Sequence, residues 1–209
     1  MPLYGEEVTV DSDLRCKIAR EAATLLHFGA EKEYKQAKLK AAKTFGFHFL
    51  PSNLEVAIEL DKIAEENEGP ARKERLIQMR KEALKTMKTL KEYSPLLIGS
   101  VWRGTIRQGS DIDIALYHDM PDEILNLLKN DVKISKAEWT AVTKRGKTEA
   151  SFHIHLASGK QRVEIVVRNS EEANRKRKCE IFGDEIKGLN IQELERLLKE
   201  NPAQKFIPV

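Results

Sequence analysis

Leu97-Ile98-Gly99-Ser100-Val101-Trp102-Arg103-Gly104-Thr105-Ile106-Arg107-Gln108-Gly109-Ser110-Asp111-Ile112-Asp113-Ile114-Ala115-Leu116 is the stretch on which the reading of this chain turns. It opens with an apolar run that predicts a short buried strand, ended by a Gly-Ser turn. A polar, glycine-containing loop follows, then a second strand written Asp-Ile-Asp-Ile. The side-chain period of two in a strand puts Asp111 and Asp113 on one face and Ile112 and Ile114 on the other. Neighbouring carboxylates on a rigid strand repel each other unless a divalent cation sits between them, and hard oxygen donors of this kind suit Mg²⁺ or Mn²⁺. Gly99 allows close backbone approach at the turn, and Ser100 adds a hydroxyl and an N–H. Together they can hold phosphate oxygens that complete the coordination of the metal. The plainer alternative leaves Asp111 and Asp113 lining the solvent face of an edge strand.

Gly99-Ser100, a spacer of ten residues and Asp111-Ile112-Asp113-Ile114 together resemble the signature of the polymerase-β-like nucleotidyltransferase superfamily. The fuller form, Gly-Ser-x-x-x-Gly-Thr followed by Ser-Asp-Ile-Asp-Ile, is similar to that of small archaeal and bacterial members. The resemblance calls for a third carboxylate on a later strand, and Val163-Glu164-Ile165-Val166-Val167 supplies Glu164 between apolar neighbours. It implies an α+β fold with a twisted mixed sheet and helices. It also implies transfer of a nucleoside monophosphate from a nucleoside triphosphate to an acceptor hydroxyl, releasing pyrophosphate. Two Mg²⁺ (or Mn²⁺) ions about 4 Å apart serve such chemistry. On this likeness Asp111 and Asp113 touch both metals, while Glu164 completes the site of the nucleophile-activating one and can accept the proton. Gly99 and Ser100 bind the β- and γ-phosphates. Ser110, Arg103 and Arg107 are further nucleotide contacts, the two arginines because a guanidinium grips phosphate in two places; surface charge is the alternative for both.

The bulk composition fits this. The chain has 209 residues, 41% hydrophobic and 33% charged, enough to bury a proper core under a heavily charged surface. A net charge of +3 does not announce a nucleic-acid binder. Cys16 and Cys179 lie far apart without metal-ligand spacing and read as reduced structural thiols. No apolar run reaches the ~20 residues of a membrane span. The start, Met-Pro-Leu-Tyr-Gly-Glu-Glu, lacks the features of a signal peptide, so a cytoplasmic location is expected.

Three regions are expected: a helical N-terminal region at 1–92, a catalytic core at 93–169 and a C-terminal helical segment at 170–209. Residues 1–10 read as a loose lead-in, with Asp11-Ser12-Asp13 capping a first helix whose stripe is Leu14, Ile18, Ala22, Leu25 and Leu26. A polar second helix runs from about Glu31 to Thr44. Ser52-Asn53-Leu54-Glu55 is a capping box for a third, broken at Gly69-Pro70. A long amphipathic helix, Ala71 to about Tyr93, leads into the Pro95–Ile98 strand. After the Asp-Ile-Asp-Ile strand come a helix, Asp122 to Lys129, and strands at 134–143, 150–157 and 162–167. Lys144-Arg145-Gly146-Lys147 and Ser158-Gly159-Lys160-Gln161 join them as hairpin turns. Ser170-Glu171-Glu172 reads as the cap of a basic helix, and Asn190 with Glu193 opens a last amphipathic one.

Other candidates carry two readings each. His153 and His155 alternate on one strand face, as a metal pair or as a half-exposed sheet face that lines the substrate side if it neighbours Glu164. Trp102 can stack on a base or pack. The lysines from Lys32 to Lys43, and Arg175-Lys176-Arg177-Lys178, can guide phosphate or form solvated helix faces. As acceptor, an RNA 3′ end, a small molecule and a protein side chain all stay open. The opposing reading is a catalytically silent relative acting as a regulatory or antitoxin-like binding partner; keeping all three carboxylates weighs against it.

Overall fold

The computed structural model describes residues 6–130, 132–144 and 147–208. They form an α+β chain whose elements run α1 (Glu6–His27), α2 (Tyr34–Thr44), α3 (Asn53–Thr89), β1 (Leu96–Ile98), α4 (Gly99–Arg103), β2 (Ile112–Tyr117), α5 (Pro121–Lys129), β3 (Ile134–Lys144), β4 (Lys147–Ser158), β5 (Gln161–Arg168) and α6 (Ile191–Glu200). Two compact units divide at Gly69, one taking the chain up to that residue with Lys178–Asp184, the other Pro70–Arg177 with Glu185–Val209. The division falls inside α3, where Gly69 has φ 51° and ψ −140° and Pro70 follows. Proline lacks the N–H an uninterrupted helix needs, and glycine reaches the positive φ at little cost.

The first unit is helical. Ile18, Ala22 and Leu26 of α1 meet Ala37 and Ala41 of α2 and Val56 and Ile63 of α3 in one buried cluster. The many alanines let the helices approach closely. α1 starts at Glu6, so Asp11-Ser12-Asp13 lies within the helix rather than at its N-terminus; no Gly or Pro falls between Glu6 and Asp13 to start it later. Residues 1–5 of the expected lead-in lie outside the described residues. The Ser52 box forms as read: the Glu55 N–H donates to Ser52 Oγ at 3.1 Å and the Ser52 N–H to Glu55 Oε2 at 2.6 Å. Arg15 and Ser52 hold the Glu55 carboxyl down at about 2.

The second unit is built on a five-stranded sheet in the order β1-β2-β5-β4-β3. Only β2 and β5 are parallel; the neighbouring pairs are antiparallel. One face carries Ile112, Ile114, Leu116, Ile165, Ile154 and Leu156, all buried, in one core with Leu76, Met79, Met87 and Leu90 of α3, Ile124 of α5 and Leu194 of α6. The other face carries Asp113, Glu164, His153 and His155. The period of two thus separates core from chemistry. Gly159-Lys160 closes the β4–β5 hairpin between paired Ser158 and Gln161; Arg145 and Gly146 of the other expected turn lie outside the described residues. Asn190 and Glu193 make the reciprocal cap of α6. The expected basic helix does not form. Ser170–Glu172 is a single 3₁₀ turn; the partly buried Arg177 bonds Glu149 and nearby Glu172, and Arg175, still exposed, bonds Glu149. No helix among the described residues is long and apolar enough to cross a membrane.

Candidate functional site

β1 and β2 run antiparallel with Ile98 opposite Asp113, so the Gly99 turn folds over the Asp113 carboxylate. Gly99 has φ +69°, and a Cβ built there would stand 1.9 Å from Asp113 Oδ2. Only glycine satisfies both the backbone and the carboxylate. Ser100 follows inside α4, where its carbonyl accepts from the Thr105 N–H at 3.0 Å. The N–H groups of this first turn have no acceptor within the helix.

On the other side β5 runs parallel to β2, with Glu164 opposite Asp113. A strand arriving 50 residues later thereby brings a second carboxylate to the same face. Burial, then the charges of Glu164 and Asp111, push the Asp113 carboxyl up to about 7. Asp111 lies just ahead of β2, and its Oδ1 accepts from Arg162 Nε at 2.6 Å. Arg162 Nη2 also donates to the Gly109 carbonyl at 2.6 Å. β4 adds the histidines: His155 pairs with Glu164 in register. His153 Nδ1 is 2.6 Å from Glu164 Oε1, and its Nε2 is 2.8 Å from Ser151 Oγ.

The intervening loop divides its expected ligands. Ser110 Oγ accepts from the Arg107 N–H at 3.0 Å, and the Ser110 N–H donates to the Arg107 carbonyl, closing a turn around Gln108-Gly109. Arg103 is buried, 3% exposed, and points away to the Phe206 carbonyl at 3.0 Å, with its guanidinium over the Trp102 ring. Trp102 is itself buried and stacked on Phe206. Beneath the turn Arg80, fully buried, donates to the carbonyls of Val101, Trp102, Pro202 and Gln204 at 2.8–3.1 Å. Burial alone pulls its pKa down to about 10. Arg72 holds the Ile106 carbonyl at 2.8 Å.

With this geometry in view, the family comparison is decisive: the model described as Nucleotidyltransferase domain matches residues 77–188, more than half of the chain. The chain belongs to the nucleotidyltransferase domain family. No curated protein matches its sequence. A solved structure, that of a GLD-2/RNP-8 complex, is similar at a TM-score of 0.34 and 13% identity, covering 57% of this chain and 44% of that one. This chain thus spans under half the length of that neighbour.

In this nucleotidyltransferase domain the donor set suits a hard divalent cation in kind. Asp113 and Glu164 face each other across two strands, and the raised Asp113 pKa is the signature of carboxylates lacking a counter-charge. As arranged, Arg162 holds Asp111 and His153 holds Glu164, and no cluster of three or more His, Cys, Asp or Glu poised on a metal exists among the described residues. Arg162, Arg80 and Arg72 escaped the sequence reading. Arg162 stands two residues before Glu164, a period-two clue that needed the β2–β5 register to be used. Nothing local marks Arg80 or Arg72, whose acceptors lie 21 to 124 positions away.

Proposed function

We propose that this nucleotidyltransferase domain transfers a nucleoside monophosphate from a nucleoside triphosphate to an acceptor hydroxyl in a metal-dependent reaction that releases pyrophosphate. The observation that carries the reading is the pairing of Asp113 with Glu164 beneath the Gly99 turn, where burial and mutual repulsion leave a carboxyl that a cation would relieve. Asp113 and Glu164, with Asp111 released from Arg162, would hold Mg²⁺ or Mn²⁺, which when bound neutralises charge on the phosphate oxygens and acidifies the attacking hydroxyl.

The protein's own part is positioning and charge. The N–H groups at Gly99 and Ser100 receive phosphate oxygens of the triphosphate, and the Arg107–Ser110 turn borders them. His153 fixes the orientation of Glu164. Glu164 takes the proton as the acceptor oxygen bonds to the α-phosphorus and the bond to pyrophosphate breaks. Arg80 keeps the turn rigid from behind.

The test is titration calorimetry of ATP, GTP, CTP and UTP with Mg²⁺ and then with EDTA, alongside Asp113→Asn. Metal-dependent binding that the variant loses supports the reading. Binding of no triphosphate sinks it in favour of a silent fold that works by binding a partner.

A further inference from the structure

The same sheet face that carries Asp113 continues into a groove of about 350 Å³. Its floor is apolar: Leu96, Ile98, Ala115 and Tyr117. Ile98 is the register partner of Asp113, and Ala115 is two residues further along β2, about 7 Å at strand rise. The groove floor therefore starts at the strand neighbour of Asp113 and runs away from it along β2. Its walls are basic. Arg168, Arg175, Lys176, Arg177 and Lys187 line it against one acid, Glu185.

These cations are not equivalent. Arg175 and Arg177 are engaged by Glu149 and Glu172 at 2.5–2.9 Å. Lys176 has only a loose partner, Glu185 at 3.7 Å, on a side chain 83% exposed. Arg168 is different. It is half-buried on β5, opposite Tyr117, and its guanidinium has no hydrogen bond or ion pair among the described residues. Burial, then the charge of Arg177, hold its pKa below the ordinary value, against the opposing charges of Glu172 and Glu149. It also lines a second opening of about 630 Å³ beyond the groove, so it is reached from both sides. A half-buried guanidinium at the far end of an apolar groove floor that starts beside Asp113's strand partner suits an anion.

We propose that this groove seats a phosphate of the acceptor, received by Arg168 with Lys176 and Lys187 at the rim, so that the hydroxyl modified belongs to a phosphate-bearing molecule. The assignment rests on the transfer reading for its role and extends it to the class of acceptor. Arg168 lies four residues from Glu164 on β5, roughly 13 Å along the strand. A stacked nucleic-acid strand with a phosphate every 3.4 Å or so would bring one to Arg168 within about four nucleotides of its reacting end. A small phosphate ester would bridge the same span only in extended form.

The experiment uses the full chain in EDTA, with no triphosphate present. A fluorescein-labelled ten-nucleotide single-stranded RNA is followed by anisotropy and glycerol 3-phosphate by calorimetry, for the wild type, Arg168→Gln, Arg168→Lys and Lys187→Gln. If the acceptor is a strand, RNA binds and Arg168→Gln weakens it at least tenfold. The slope of log K against log salt then falls by roughly 0.7, and Arg168→Lys recovers most of the affinity. If it is a small ester, glycerol 3-phosphate binds as well as RNA does and Arg168→Gln abolishes it. Should Arg168→Gln misfold, Lys187→Gln, on an exposed side chain, decides by a threefold or greater loss. Binding of neither probe, or affinities within twofold of wild type in the variants, overturns the proposal. MgATP titrated into the same proteins separates the two readings. Its binding should stay within twofold in Arg168→Gln, and its failure in the wild type defeats the transfer reading while leaving the groove's result standing.

Discussion

Replacing Asp113 by Asn should make the metal-free protein more stable as it becomes inactive, and the gain should depend on pH. The folded carboxyl sits at about 7 against an ordinary 3.8. Each unit is worth about 1.4 kcal/mol, so an ionised Asp113 costs the folded state about 4 kcal/mol well above pH 7. Well below pH 4 the carboxyl is protonated in both states and costs nothing. Between those limits the folded state binds more protons than the unfolded one, so stability falls as pH rises. The variant lacks this group. Its advantage over the wild type should grow by about 3 kcal/mol from pH 5 to pH 8. Any fixed cost of the new amide cancels in that difference. Urea unfolding with EDTA at both pH values measures it, with equal m-values required. An advantage that stays flat within about 0.5 kcal/mol refutes the burial and crowding argument. Adding Mg²⁺ at pH 8 should then raise the wild type and leave the variant where it was.

Three further outcomes follow from the same geometry. Gly99→Ala sets a methyl 1.9 Å from Asp113 Oδ2 at a φ of +69°, so it should cost about 2 kcal/mol and remove metal-dependent triphosphate binding, read by thermal melting and calorimetry. Arg80→Met strands four carbonyls and should cost about 3 kcal/mol or more in urea unfolding; a change under about 1 kcal/mol would show the clamp to be idle. His153→Ala frees Glu164 and should lower pyrophosphate release roughly ten- to a hundredfold at saturating triphosphate with little change in its KM. A loss confined to KM would put His153 in substrate binding instead.

What could be read along the chain was what is local. The Gly99 turn, the Ile112–Asp113–Ile114 alternation, the caps at Ser52 and Asn190 and the break at Gly69-Pro70 each write their geometry within a few residues and formed where expected, although Asp111 lies just ahead of the strand and a short helix, Gly99–Arg103, replaces the first part of the expected loop. Register was harder. That Glu164 lands opposite Asp113, and His153 within 2.6 Å of it, depends on β3 and β4 folding out and back before β5 enters beside β2. Alternation places these side chains on one face but does not say which neighbour each meets. Charge was hardest of all. Arg175 and Arg177 read as guiding a phosphate or as a solvated helix end, whereas Glu149, a distant strand residue, pairs with both and Arg177 is partly buried. Arg103 followed the same course: its place in the loop pointed to phosphate, and its guanidinium turned inward to a carbonyl 103 positions away.

The clamp behind the Gly-Ser turn sets an order of assembly. Arg80 joins the carbonyls of residues 101 and 102 to those of 202 and 204, and Arg103 adds that of Phe206. A ribosome that has already delivered the turn and all five strands has not yet delivered the partners that brace the turn. The stretch from 77 to 188 that matches the family model leaves out part of this clamp. Expressed alone, it would carry Asp111, Asp113 and Glu164 and leave Arg80 holding two of its four acceptors.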